Sequence, residues 1–455
     1  MTSPQITPSP TADPLPRRRV LGFAVGSVGN GVFGAVPGLL LLFYLTEVMA
    51  VPAAAAGAVI VAAKVWDAVC NPVVGLLSDR EAVRTGRRTR LLLVGALGLP
   101  LLFTALFTSP FSSPTAALVW TGLMFVLAAT AYSCFQVPYI ALAAELSPRQ
   151  DQRARAISWR IVFLTVGILA AGGLATVVVD AFGGGRAGHT AMGLTMGALM
   201  CATMLVTALS TRWVPSRPGE RVLGPLAALR AARGNRPFFA LLTGFALQAM
   251  AIAVMLAGAP YVAVYRLGDY SLTTVMFACV VGPSMLCVPL WAAAARRFGT
   301  VPCYLAALLA VTAACAALFP AATAASAVSV FALLAVVGVG YAALQLLPLS
   351  LLPETVRADA VRTGQAQSGA FTGVWTAAET GAMALGPGLF SVVLAATAFV
   401  SGNVETEVAQ PASAVAGLTF GFTVLPAVLL AVSLPAVLLY RRLAAAHTRE
   451  ENDAS

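Results

Sequence analysis

Lys64, Asp67 and Asn71 stand three and four residues apart in a run that is otherwise apolar, and Arg160 and Glu379 stand in two further apolar runs. At 3.6 residues per turn the first three fall within an arc of roughly 60°, so an ammonium, a carboxylate and a carboxamide share one helix face. That face supports two chemistries. Lys64 and Asp67, at i and i+3, can form a structural ion pair; or Asp67 takes up and releases a proton or cation during a working cycle, with Lys64 setting its affinity. Glu379 has Trp375 one turn before it, Thr372 and Thr376 on the same side, and no basic residue flanking it in its run. A carboxyl buried without a counter-charge favours its neutral form. It then carries a proton, meets a cationic group of a ligand, or rests as a glutamic acid bonded to a nearby carbonyl. Arg160 either snorkels towards the basic end of its run or donates to an anionic or hydroxylated ligand. Gln136, with Tyr132 and Tyr139 a turn to either side, makes an uncharged polar stripe that lines a cavity or bonds a neighbouring helix.

These residues need helices long enough to hold them in a membrane. Of 455 residues 59% are hydrophobic and 10% charged, with a mean hydropathy of +0.86, shares that exclude a soluble domain. Runs of twenty or so apolar residues, each long enough to cross a bilayer, begin near Val20, Ala53, Leu91, Ala116, Ala154, Thr190, Phe238, Leu272, Val301, Ala325, Thr363 and Ser413. The first reaches Met49 and the eleventh Phe399. Basic residues fix the expected orientation, because Lys and Arg accumulate in cytoplasmic loops. With the amino terminus inside, 24 of the 28 basic residues fall in inner segments; Arg186 and Arg266 are outside, and Lys64 and Arg160 lie within helices. An even number of spans with both termini cytoplasmic follows.

The same distribution assigns the net charge of +10 to topology and away from nucleic-acid binding, since it is spread over short loops and not gathered on one domain. The Pro- and Ser-rich start, ending in Arg17, Arg18 and Arg19, precedes an apolar stretch too long for a cleaved signal, so a retained first helix behind a disordered tail is expected. All seven cysteines lie in expected helices without CxxC spacing and read as small core residues. The two histidines, His189 and His447, lie outside the expected spans, and no Walker A, HExxH or GxSxG pattern occurs. A membrane enzyme therefore lacks materials, and gradient-driven transport is the expectation; a passive channel fits midplane charges in repeated halves less well.

The duplication is visible in spacing. Pro72, Asp79 and Arg80 keep the offsets of Pro289, Arg296 and Arg297, and Gln136, Glu145 and Arg153 keep those of Gln345, Glu354 and Arg362. The expected organisation is a disordered cytoplasmic tail (1–19), a six-helix bundle (20–212), an Arg- and Pro-rich cytoplasmic linker (213–237), a second six-helix bundle (238–441) and a cytoplasmic tail (442–455).

The run KVWDAVCNPVVGLLSDR from Lys64 to Arg80, followed by RTGRRTR, resembles the glycoside-pentoside-hexuronide:cation symporter family, to which the bacterial melibiose carrier belongs. FYLTEV, QVPYIALAAEL, RQDQRARAISWR and PYVAVYRLGD are similar to the family's pattern as well. The resemblance covers most of the chain and is strongest in its first 165 residues. It implies the major facilitator fold: an all-α membrane protein of twelve transmembrane helices in two six-helix repeats. Carried over by position, it makes Asp67 the first carboxylate of a cation site and puts Asn71 where the second would stand, a departure that favours protons over sodium as the coupling ion. It places Arg160 at the family's fifth-helix arginine, Asn30 and Gly31 where relatives carry a charged pair, Gln136 in place of an acid, and Glu379 where relatives carry a lysine.

The resulting expectation is proton-coupled symport, with sodium the less favoured ion, of a sugar-like or other small polar solute by alternating access, with a proton-driven exporter of a drug or natural product as the alternative. The solute would sit near Asn30, Gln136, Tyr139, Arg160 and Trp375. Asp67, Lys64, Asn71 and Glu379 would carry coupling. No cofactor or metal is expected, the partners are the solute and membrane lipids, and the protein is expected as a monomer of the cell inner membrane.

Overall fold

The computed structural model describes residues 15–147, 149–215, 234–363, 368–402 and 409–453, which are all-α. Twelve helices are long and apolar enough to cross a membrane: α1 (Arg17–Leu41), α2 (Ala53–Thr85), α3 (Thr89–Leu106), α4 (Pro114–Ala143), α5 (Asp151–Ala181), α6 (Gly185–Ser210), α7 (Arg236–Tyr265), α8 (Leu272–Phe298), α9 (Thr300–Thr323), α10 (Ala327–Asp359), α11 (Phe371–Ala396) and α12 (Ala412–Ala444). Inside a bilayer every backbone N–H and C=O must find a partner within the protein, so such sequences have little choice but helix. Local signals set the ends. Gly86 closes α2 at φ 66, a left-handed cap that a side chain would strain, and Asn235 caps α7 by accepting the Phe238 N–H at 2.9 Å, with a proline in the first turn.

The boundaries correct several expectations. The arginines at 17–19, expected in the disordered tail, form the first turn of α1, because a helix start tolerates them once Pro16 precedes it. Residues 1–14, and 216–233 of the expected linker, lie outside the described residues. The eleventh span is shorter than its apolar run. Beyond Leu41 the chain continues into a π-helical turn, Tyr44–Val48, following a first one at Pro37–Leu41, and α5 contains a third at Ala170–Leu174. Such insertions recur at functional sites. The seven cysteines are free; Cys70, Cys303 and Cys315 are buried and the other four half-buried.

Packing repeats between the first six helices and the last six. α1 contacts α5 and α6, α2 contacts α4, and α3 contacts α4 and α6; likewise α7 contacts α11 and α12, α8 contacts α10, and α9 contacts α10 and α12. Glycines allow the closest crossings. A Cβ on Gly167 of α5 would run into the Val28 carbonyl of α1, and one on Gly31 into the Leu164 carbonyl; a Cβ on Gly386 of α11 would strike Ala253 of α7. Small residues at such points let two backbones touch, the main source of helix association in a membrane. Between the two sets, α2 lies against α11, α5 against α8, and the end of α1 against α7.

Candidate functional site

α1 and α4 meet through amides. Asn30, 3% exposed, donates its Nδ2 to Gln136 Oε1 at 2.5 Å, while its own Oδ1 is buried with no partner among the described residues. Three residues further along α4, Tyr139 is wholly buried. Its hydroxyl bonds the Ser27 hydroxyl at 2.7 Å and donates to the Phe23 carbonyl at 3.0 Å, so the phenol is spent on holding α1. What Tyr139 offers the interior is its ring face, over which the Arg160 guanidinium lies 5.2 Å from the centroid, within cation–π range. Arg160 also acts electrostatically on Tyr132, one turn before Gln136. It is thus turned onto α4.

Of the two readings of Lys64 and Asp67, the structural ion pair is not made within 4 Å. Among the described residues the pairs within 4 Å are Arg88–Asp79, Arg88–Glu145 and Arg149–Asp151. Lys64 instead holds its ammonium 5.7 Å from the Phe33 ring and 5.9 Å from the Phe125 ring. Asp67, 6% exposed, accepts the Ser133 hydroxyl at 3.0 Å. The physical reason is packing. The i,i+3 spacing brings the two side chains to one face, but the aromatic rings of α1 and α4 solvate the ammonium and the α4 hydroxyl takes the carboxylate. The two charges remain within electrostatic reach of each other. Asn71 is half-buried on the same helix and makes no side-chain hydrogen bond among the described residues.

In the second set, Glu379 of α11 lines a pocket with Gln248 of α7 and Tyr341 and Gln345 of α10. Gln345 donates to the Tyr341 hydroxyl at 3.0 Å, and Gln248 is anchored by Tyr304 at 2.9 Å and by Ser433 at 3.3 Å. Glu379 makes no hydrogen bond among the described residues, though it acts electrostatically on Tyr341. Trp375 does not face this pocket. It is 2% exposed and stacks on Phe245 at 4.5 Å, its indole N–H buried without a partner.

The two sets meet where α1, α5, α7 and α11 finish and α2 and α8 begin. Thr46 bonds Tyr261 at 2.6 Å, Tyr265 donates to Glu47 at 2.6 Å, and the hydroxyls of Thr176 and Thr274 bond each other. The Phe43 ring sits 5.1 Å from Tyr261 and 5.5 Å from Tyr270. Glycines again allow the approach: a Cβ on Gly57 would strike Ser391, one on Gly388 would come 2.6 Å from Val61, and one on Gly172 would strike the Phe277 ring. At the other end the strongest feature lies inside the first set. Buried Arg88 bonds Ser78 at 2.7 Å and Asp79 at 2.8 Å and reaches Glu145 at 3.4 Å, while Glu81 accepts the backbone N–H groups of Arg90 and Leu91. The RTGRRTR loop thereby ties α2, α3 and α4.

Sequence reasoning missed Gln248, Tyr341, Ser133 and the Glu47–Tyr265 and Thr46–Tyr261 pairs. Only Tyr341 carried a signal: it stands four residues before Gln345, as Tyr132 stands before Gln136.

Among the described residues, twelve helices long and apolar enough to span a membrane pack in a repeated scheme, with polar groups turned inwards from both sets and a seam at one end. The chain belongs to the MFS/sugar transport protein family, whose model matches residues 22–442. It is 32% identical over 227 residues to the uncharacterized symporter sll1374 of Synechocystis, covering 47% of this chain and 40% of that one. It is 28% identical to the putative glycoside/cation symporter YagG of Escherichia coli over 36% of each chain. With the putative 2,3-dihydroxypropane-1-sulfonate exporter of Salmonella typhimurium it shares 26% identity over 67% of this chain and 68% of that one. The matches to the first three curated relatives span 40%, 36% and 36% of their length. Among solved structures, a bacterial homolog to the human lysosomal transporter Spinster, inward-facing and occupied, superposes with a TM-score of 0.70 at 15% identity, covering 93% of this chain and 96% of that one. The nucleoside transporter NupG gives 0.64 at 13% identity over 94% and 99%. Both likenesses concern the fold.

Proposed function

We propose that this protein is a proton-coupled symporter of a small polar, sugar-like solute, working by alternating access between its two six-helix sets. Asp67 carries the reading. Among the described residues it has no cation within 4 Å and is held by one serine hydroxyl. A carboxyl 6% exposed in the middle of α2 costs several kcal/mol as an anion in a membrane unless a proton or cation joins it. The Lys64 ammonium, parked on two rings, disfavours a second cation there, and with Asn71 in place of a second carboxylate the site suits a proton better than sodium. The solute binds between Asn30, Gln136 and Arg160 of the first set and the pocket of the second set that Glu379 lines.

Both termini are cytoplasmic in this reading, which the basic loops support, and the seam of Glu47, Tyr265 and Gly57 then closes the outer side and leaves the conformation inward-facing. Sugar transport is supported by the family and by a relative called a putative glycoside/cation symporter. Export is the second reading, supported by a relative of two-thirds coverage called a putative sulfonate exporter.

Vesicles of both orientations with imposed proton or sodium gradients test this. Proton-driven sugar accumulation in right-side-out vesicles, lost in Asp67→Asn while solute exchange at equal concentrations persists, is the expected result. Accumulation that survives Asp67→Asn ends the coupling assignment, and proton-driven uptake confined to inverted vesicles makes the protein an exporter.

A further inference from the structure

The two polar clusters are copies of one another with one sign reversed. Tyr132 and Gln136 of α4 recur 209 positions later as Tyr341 and Gln345 of α10, and Arg160 of α5 recurs 219 positions later as Glu379 of α11. The structure supports the second correspondence independently. Gly167, where α5 crosses α1, and Gly386, where α11 crosses α7, are also 219 positions apart. Each charged residue therefore stands seven residues before the crossing glycine of its own helix. Seven residues are two turns, or about 10 Å along the axis on nearly the same face. Arg160 and Glu379 thus lie at matching depth, Arg160 over the Tyr139 ring of the fourth helix and Glu379 in the pocket it shares with Tyr341 of the tenth. Asn30 on α1 and Gln248 on α7 supply a carboxamide to each cluster.

We infer that the solute is dipolar: its anionic group binds at Arg160 and its cationic group at Glu379, with the Asn30–Gln136 and Gln248–Gln345 carboxamides holding the polar body between them. A duplicated site would ordinarily present like groups from both sides. Here the geometry is kept and the charge inverted, so a solute with one charge meets attraction from one set and an uncompensated buried charge in the other. A solute with both charges neutralises both sets at once, which removes the main electrostatic cost of closing the cavity around it. Discrimination follows, since a missing partner leaves a buried ion unpaired. The inference rests on the proposed reading of the space between the two sets as a solute site; it assigns Glu379 to the solute and leaves coupling to Asp67.

Four probes built on one ring test it: galactose, galactosamine, galacturonic acid and galactosaminuronic acid, which are neutral, cationic, anionic and zwitterionic. Their competition is measured by exchange in proteoliposomes without an ion gradient, a readout that does not require coupling. The expected order places the zwitterion first and galactose last. Arg160→Gln should lose about tenfold for galacturonic acid and leave galactosamine unchanged, Glu379→Gln should do the reverse, and each step is the size of one charge-assisted bond. Arg160→Lys and Glu379→Asp should retain the order. These opposite losses cannot come from misfolding. Galactose exchanging as well as the zwitterion, an unchanged order in both neutralised variants, or exchange of none of the four overturns the inference. Coupling is judged separately. Proton-driven accumulation of galactose with no charge preference keeps the symporter and sinks the dipolar site, whereas zwitterion exchange that no proton gradient drives keeps the site and sinks the coupling.

Discussion

Glycines make close contacts both inside each six-helix set and at the seam, and the crossings of α1 with α5 and of α7 with α11 differ from the seam in what they meet. Inside a set, a Cβ on Gly31, Gly167 or Gly386 would run into a carbonyl or a backbone atom of the crossing helix. At the seam, a Cβ on Gly57, Gly172 or Gly388 would meet the ends of side chains: Ser391, the Phe277 ring and a Val61 methyl. Backbone against backbone cannot be parted without losing the helix pair, whereas side chains against a glycine can withdraw and be replaced by water. The α1–α5 and α7–α11 crossings are therefore built as fixed contacts, and the seam as one that can be made and broken. Alternating access needs that division, and the polar contacts at the seam agree with it, being three hydroxyl-centred bonds and no ion pair among the described residues.

The largest effect should come from attacking a permanent crossing. Gly167→Val places two methyl groups where the Val28 carbonyl of α1 already sits, and the α1–α5 pair has to separate. Overpacking of this kind costs about 3 kcal/mol or more, because backbones and not rotamers must move. Loss of the monodisperse detergent-solubilised protein is the expected outcome; a variant that purifies and exchanges solute normally would show that this crossing is not fixed.

A seam glycine should respond differently. Gly172→Val pushes on the Phe277 ring, which can swing outwards if α5 and α8 part at that end. The protein should fold, with its population shifted about tenfold towards the outward-open form, ~1.4 kcal/mol. Alkylation of a cysteine placed at Thr274 in a cysteine-free background reads the shift as faster labelling from outside. Unchanged labelling would mean that the seam yields no more readily than the interior.

Much of this arrangement was legible in the amino-acid sequence, and its limits have physical causes. Length and hydropathy dictated twelve helices, because in hydrocarbon an apolar run has one low-energy backbone. The Gln136–Gln345 correspondence was visible as spacing. The link between Arg160 and Glu379 was not, since a search for repeats compares like with like and these residues share a position with opposite charge. Spacing left the choice between an ion pair and a separate role for Asp67 open for a related reason. Spacing places two side chains on one face, but their partners come from other helices: Phe33 and Phe125 for the ammonium, Ser133 for the carboxylate. Tyr139 and Trp375 were read as solute contacts from residue type and helix face, yet the tyrosine hydroxyl is taken by α1 and the indole is covered by Phe245. The seam joins residues more than two hundred positions apart, such as Glu47 and Tyr265, which no local pattern connects.

The smallest effect sharpens the comparison most, because it removes one bond without disturbing any packing. Tyr265→Phe deletes the hydroxyl that donates to Glu47 at 2.6 Å and leaves the ring against Phe399. A hydrogen bond of this kind contributes about 1 kcal/mol net, so the outward-open population should rise about fivefold, less than for Gly172→Val. Glu47→Gln separates the bond from the charge, since a carboxamide oxygen still accepts the tyrosine hydroxyl while the acid is gone. If Glu47→Gln keeps the labelling rate of the unaltered protein and Tyr265→Phe raises it, the seam is held by hydrogen bonding alone. If both substitutions raise it equally, the carboxyl itself matters, and the outer closure is tied to the protonation of Glu47.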